Sequence, residues 1–169
     1  MKHRAELTVI ALVVILLVAI GAWRLTVAGF MVVGAVRAAD WTLVHGKVLD
    51  AQLRHTIGGK RPGYLATGTY GYEFGGRAYT GRQIGLTPPD TRDLGFEEWH
   101  LRMSAKLEDA KARGAIIPIY VNPANPGESI HDRRMRFGLL ALESGLGLLA
   151  MGAGIAVGFA SRMYRRGPR

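Results

Sequence analysis

One carboxylate stands alone in an apolar run. From Phe137 to Ala160 the only charged residue is Glu143. A carboxylate inside a segment long enough to cross a bilayer marks a pairing or functional position, because hydrocarbon does not solvate its charge. The first apolar run holds a counterpart. No residue from Leu7 to Trp23 or from Leu25 to Val36 is charged, which isolates Arg24. Two antiparallel helices bring these residues to similar depth, so the pattern predicts an intramembrane Glu143–Arg24 pair, in a structural role as readily as a functional one. A protonated Glu143, or a cation from a partner subunit, would satisfy the carboxylate equally.

Other reactive residue types are scattered. The histidines are His3, His45, His55, His100 and His131, and no two share a metal-ligand spacing. There is no cysteine, hence no thiolate nucleophile, thiolate metal site or disulfide. Neither a Gly-x-Ser-x-Gly elbow nor a Gly-x-Gly-x-x-Gly turn occurs. The run Gly58-Gly59-Lys60-Arg61-Pro62 lacks the spacing and the hydroxyl of a phosphate-binding loop and reads as a solvated turn. His100 beside Trp99 reads as a surface or boundary residue, and His131-Asp132 as a membrane-proximal loop. No catalytic residue, cofactor or metal is expected, and the chain is expected not to be an enzyme.

The elements that would hold Glu143 and Arg24 are two membrane helices. About 20 apolar residues cross a hydrocarbon core about 30 Å thick, and both runs are of that order. A cleaved signal peptide is the competing reading of the first, but Ile20-Gly21-Ala22 puts a bulky Ile where cleavage wants a small side chain, and apolar character resumes after Arg24. The expected organisation is an anchor over 1–36, a small domain over 37–136, a second span over 137–160 and a basic tail over 161–169. In the second span Ala150, Gly154 and Gly158 recur at intervals of four, allowing close packing on the first helix or on another membrane protein.

The net charge of +9 divides along the same lines. The middle segment holds 15 Lys/Arg against 11 Asp/Glu, with no basic face to serve nucleic acid. Arg162, Arg165, Arg166 and Arg169 form a tail that anionic lipid headgroups attract, at about 1 kcal/mol per residue near the surface. With Lys2 and Arg4 before the first helix, the positive-inside rule places both termini in the cytoplasm and the middle domain outside, at the cell (inner) membrane.

Within the domain, Thr69 to Gly81 alternates around Gly75-Gly76, a two-residue hairpin turn. That register opposes Phe74 to Arg77, Tyr72 to Tyr79 and Tyr70 to Gly81, and the resulting aromatic face is expected to be core rather than a base-stacking platform. Thr42 to Leu53 reads as a strand, with a bulge or close packing at Gly46. Phe96, Trp99, Met103, Leu107 and Ala110 form one helical stripe, with Thr91 or Asp93 as the cap and Gly114 as the stop. Ile116 to Val121 reads as a last strand, placed at an edge or with the N-side of Pro118 pointing outward. The following Asn122-Pro123-Ala124-Asn125-Pro126-Gly127 is a rigid corner. Glu128 and Ser129 lie beside it without a visible activator. The fold class is a membrane protein: two transmembrane α-helices flanking a small α+β domain with a mainly antiparallel sheet and one helix.

Three signatures in this order, Trp41-x4-Gly46-x-Val48, Tyr70-x-Tyr72 with Tyr79-x-Gly81, and Val121-Asn122-Pro123-Ala124-Asn125-Pro126, resemble a widespread, mainly bacterial family of two-helix membrane proteins of unknown function. The resemblance covers about Trp41 to Ile130. It implies a small β-rich domain between anchors and transfers no catalytic residue. The expected role is an integral membrane accessory or scaffolding subunit, binding another membrane protein or self-associating through its helices. The competing roles are a membrane-bound enzyme on envelope lipid or glycan, and a membrane immunity protein against a toxin.

Overall fold

The computed structural model describes residues 2–56, 63–87 and 97–165. The turn at Gly58–Pro62 and the proposed caps Thr91 and Asp93, with Phe96, lie outside them. In chain order come α1 (Lys2–Ala38), β1 (Thr42–Thr56), β2 (Gly63–Phe74), β3 (Arg77–Gly81), α2 (Glu97–Ala112), β4 (Ile116–Val121), β5 (Ser129–Ile130) and α3 (Phe137–Arg165). Two long apolar helices therefore flank a five-stranded antiparallel sheet with one helix. The candidate membrane spans are Thr8–Ala38 and Phe137–Tyr164. Contacts divide the chain into two compact units, one of 1–29 with 137–169 and one of 30–136.

In the second unit the strand order is β3-β2-β1-β4-β5. The β2–β3 hairpin has the expected register, with Tyr70, Tyr72 and Phe74 opposite Gly81, Tyr79 and Arg77. Its turn puts Gly75 and Gly76 at φ 58° and 74°, where other residues would be strained. Tyr70 and Tyr72 are buried as core. Close packing occurs at Gly46, where an added Cβ would stand 2.5 Å from the Gly71 carbonyl oxygen. The bulge comes later, between Val48 and Asp50.

Helix α2 lays Met103, Leu107 and Ala110 on the same core as Val48, Ala66, Tyr70, Tyr72, Ile117, Ile119 and Val121. It ends in a Schellman motif: Gly114 takes φ 60°, its N–H reaches the Lys111 carbonyl (3.1 Å) and the Ala115 N–H reaches that of Ala110 (2.8 Å). Glu98 and Arg102 pair at 2.7 Å on the wet side.

β4 is neither the last strand nor an edge, because the Asn-Pro corner is a hairpin that returns as β5. The Asn122 N–H donates to the Glu128 carbonyl (3.0 Å), the Asn125 N–H to Asn122 (3.1 Å) and the Glu128 N–H to Asn125 (2.9 Å). Pro118 sits opposite His45 of β1, but its carbonyl meets the His131 ring at 2.8 Å. A strand residue sends its N and its C=O to the same edge, so the missing N–H of Pro118 faces away from β1 and no ladder bond is lost.

The two outer strands also meet. Beyond β3 and β5 the His131 N–H donates to the Gln83 carbonyl (3.1 Å) and the Asp132 N–H to that of Ile84 (2.8 Å). Inside this seam the Tyr70 hydroxyl donates to the Gln83 carbonyl (3.0 Å) and lies 3.2 Å from the Ser129 hydroxyl, while Tyr72 donates to the Pro126 carbonyl (2.7 Å). The sheet thus curls into a nearly closed barrel, which consumes the unpaired edges that an open sheet leaves exposed.

Candidate functional site

In the helical unit α1 and α3 run antiparallel, because contacts fall along α1 as they rise along α3. A Cβ on Gly21 would lie 2.5 Å from Met151 Cγ and 2.8 Å from the Gly147 carbonyl, and one on Gly147 would lie 2.8 Å from Leu25 Cγ. A Cβ on Gly154 would lie 3.0 Å from Val18 Cγ2 and one on Gly158, more loosely, 3.8 Å from Val14 Cγ1, while Ala150 is half-buried. Gly154 thus serves internal packing. Gly21 and Gly147, which make the closest approach, were missed by the sequence reading. Their signal was spacing: Gly147 lies one turn after Glu143 and two turns before Gly154.

Next to this crossing the structure brings Arg24 and Glu143 together. Arg24 Nη1 donates to Glu143 Oε1 at 2.8 Å and to Oε2 at 3.0 Å. The Arg24 side chain is 19% exposed and that of Glu143 4%. A charge-assisted contact of this length is strong where water is scarce. Arg162 is exposed near the end of α3 and Arg165 closes that helix, so half of the expected tail is helical. Arg166 and Arg169 lie outside the described residues.

The other unit gathers its arginines around the end of α1. Arg133 Nη1 donates to the carbonyls of Ala38 (2.9 Å) and Ala39 (2.7 Å), while its guanidinium lies 4.1 Å from the Tyr120 ring centroid. A cation on the last carbonyls satisfies acceptors that the helix leaves open and complements its dipole. Arg136 stacks 4.1 Å over Trp99 and donates to Thr87 at 2.9 Å. Ala38, Leu86 and Ile130, with Ala35, Trp41, Tyr120 and Met135, form a second small core here.

Between the last turns of α1 and the barrel seam lies a cavity of about 520 Å³, within the range of ligand pockets. Phe30, Val33, Gly34, Leu86 and Ile130 line it, with Arg37, Arg82 and Glu128 at its polar side. Glu128 is committed locally: Asn122 and Asn125 donate to its two oxygens at 2.9 and 3.1 Å, and Arg37 lies 3.6 Å away. Those amide bonds, with Arg37 adding to them, hold its carboxyl below the ordinary value.

One sheet face is left open. The β1–β4 register sets Leu43, His45 and Lys47 beside Tyr120, Pro118 and Ile116, and the Leu49 side chain lies over Gly71. Leu43, Leu49 and Ile116 are 51%, 54% and 63% exposed.

One histidine corrects the expectation and a second adds to it. His100 is not at the boundary but 2% exposed, and its Nδ1 accepts the Ala66 N–H at 3.2 Å. It precedes Met103 and Leu107 by three and seven residues, so the apolar stripe itself placed it inward. His131 does lie in the loop after β5, but it is 3% exposed and its Nδ1 meets the Pro118 carbonyl, so this nitrogen carries the proton. Burial pushes its pKa down, with the carbonyl contact opposing. Both rings fasten backbone. Among the described residues no group of three or more His, Asp or Glu is arranged to hold a metal ion.

Two helices long and apolar enough to be candidate membrane spans flank a curled β-domain in the chain, and charged residues gather at the Arg24–Glu143 pair and at the end of the first helix. The chain belongs to the DUF3592 family, a domain of unknown function that matches residues 44–136. The match takes in Gly46, the hairpin tyrosines and the Asn-Pro corner. No curated protein matches the chain.

Proposed function

We propose that this protein is an integral membrane accessory or scaffolding subunit whose domain holds a partner protein near the membrane surface. The observation that carries this reading is the open sheet face. Leu43, Leu49 and Ile116 are large apolar side chains on a surface that no element among the described residues covers. Exposed apolar area of this kind is characteristic of interaction sites. The α1–α3 pair supports the reading, since Gly21, Gly147 and Gly154 are spent on internal packing and the domain is left as the recognition element. The positive-inside pattern of Lys2, Arg4, Arg162, Arg165, Arg166 and Arg169 supports cytoplasmic termini and an extracytoplasmic domain.

The test is site-specific photo-crosslinking in intact cells from positions 49 and 116, followed by purification in mild detergent. A stoichiometric partner, lost in Leu49→Glu and Ile116→Glu variants that still fold, is the expected result. Purification of the chain alone, with crosslinks to lipid only, would overturn the reading in favour of an enzyme acting on envelope lipid.

A further inference from the structure

We propose that the cavity between the end of α1 and the barrel seam binds one anionic phospholipid, with an acyl chain along its apolar wall and the phosphate between Arg37 and Arg82. The first candidate span holds 31 residues, about 46 Å of helix against about 30 Å of hydrocarbon. Its surplus must stand in the headgroup region, and Arg37 with Trp41 are the residue types that anchor such an end there. The cavity wall formed by Phe30, Val33 and Gly34 is the part of that span just before this anchor. A lipid is therefore the amphiphile at hand.

Chemistry at the cavity agrees with that occupant. Phe30 and Val33 are 43% and 55% exposed, and Leu86 and Ile130 continue the apolar surface. Arg82 is exposed and makes no ion pair among the described residues. Arg37 holds Glu128 only at 3.6 Å, and the two amides already satisfy that carboxylate. Two guanidiniums facing one partly neutralised carboxylate leave a net positive rim, and guanidinium matches phosphate in a two-pronged geometry. Gly34 keeps the cavity open: a Cβ there would stand 3.5 Å from Leu86 Cδ2, so a small side chain is tolerated and a large one fills the space.

The inference rests on the membrane assignment of α1 but not on any protein partner. Carbonate extraction of membranes checks that assignment separately, since release of the chain would remove the membrane reading itself. The full-length protein in detergent micelles is then titrated with phosphatidylglycerol or phosphatidylcholine and its bound lipid counted by native mass spectrometry. One phosphatidylglycerol per chain, held about tenfold more tightly than phosphatidylcholine, is expected, because both offer the phosphate but only phosphatidylcholine brings a quaternary ammonium against the positive rim. An Arg37→Gln/Arg82→Gln variant should lose that preference with its melting temperature unchanged, and Arg82→Gln alone should lose part of it. Gly34→Leu should expel both lipids while both arginines remain. Equal retention of the two lipids by the native chain, or an undiminished preference in the double variant, would overturn the site. Displacement of phosphatidylglycerol by millimolar inorganic phosphate would overturn the lipid in favour of a free anion.

Discussion

Removing one member of the Arg24–Glu143 pair should loosen the helical hairpin more than removing both. In Glu143→Gln, Arg24 keeps its charge beside a 4%-exposed site that no longer compensates it. Breaking a buried pair on one side costs about 3–5 kcal/mol in a protein interior. Two features reduce that figure. Arg24 is 19% exposed and has a long stem, so it can snorkel. Glu143 stands six residues into α3, about 9 Å along the helix and short of the bilayer centre. About 2 kcal/mol per single substitution remains, roughly a thirtyfold shift in helix pairing. The Arg24→Gln/Glu143→Gln double variant carries no charge and can form an amide–amide bond, so it should recover more than half of the loss. The readout exploits the absence of native cysteine. Val14→Cys with Gly158→Cys places two thiols where the helices touch, since a Cβ on Gly158 lies 3.8 Å from Val14 Cγ1. Oxidative crosslinking is followed as dodecyl sulfate is raised in mixed micelles, for native, single and double backgrounds. If each single variant shifts pairing less than threefold and the two losses simply add, the pair contributes nothing to the hairpin and the reasoning fails.

Three further outcomes are expected. Gly147→Val should separate α1 from α3 in the same crosslinking assay, because even a Cβ there meets Leu25 at 2.8 Å and the Gly21 carbonyl at 3.1 Å; Gly152→Ala, with nothing within 4 Å, should leave pairing unchanged. Gly46→Ala should cost about 1–3 kcal/mol in thermal melts of the domain's circular dichroism signal, since its Cβ would meet Gly71 backbone at 2.5 Å; an unchanged melt would show that β1 and β2 can separate there freely. Burial lowers the pKa of His131 below the ordinary 6.5, so the folded domain holds it neutral while the unfolded chain takes up a proton. Its contribution is therefore complete above pH 6.5 and declines as pH falls through that value. Denaturant melts at about pH 7.5 and about pH 5.5 should differ in the native chain and converge in His131→Gln, whose amide can still bond the Pro118 carbonyl.

The elements governed by local rules were legible in the sequence. Gly75-Gly76 fixes the hairpin register through positive φ, the stripe Trp99, Met103, Leu107 and Ala110 fixes the helix, and the long apolar runs fix the two long flanking helices. What escaped was non-local. β5 is two residues long and exists only because Tyr120 and Val121 offer it partners. Closure of the barrel depends on bonds between Gln83–Ile84 and His131–Asp132, and no period in the sequence encodes a meeting of residues so far apart. His100 was misplaced because its polar type outweighed its spacing to Met103 and Leu107, and the burial of His131 in its loop went unseen because the Pro118 carbonyl that holds it is a non-local partner. The charged pair was legible for the opposite reason: an isolated charge in an apolar run has few ways to be satisfied.

The Arg133 cap on α1 also sets a clock. Arg133 follows Ala39 by 94 residues, so at about 5–20 residues per second the end of the first helix is made roughly 5–19 s before its cap exists. Until then the Ala38 carbonyl has only the nearby Trp41 N–H (3.3 Å), the Ala39 carbonyl lacks its guanidinium, and Tyr120 and Ile130 have not arrived to bury Ala38. The barrel seam closes within the same few residues, through His131 and Asp132. The second long apolar helix begins at Phe137, directly after this latch. The residues that seal the domain and the start of the second long helix are thus adjacent in the chain, and a chain that stops before residue 131 has an open barrel and an uncapped first helix.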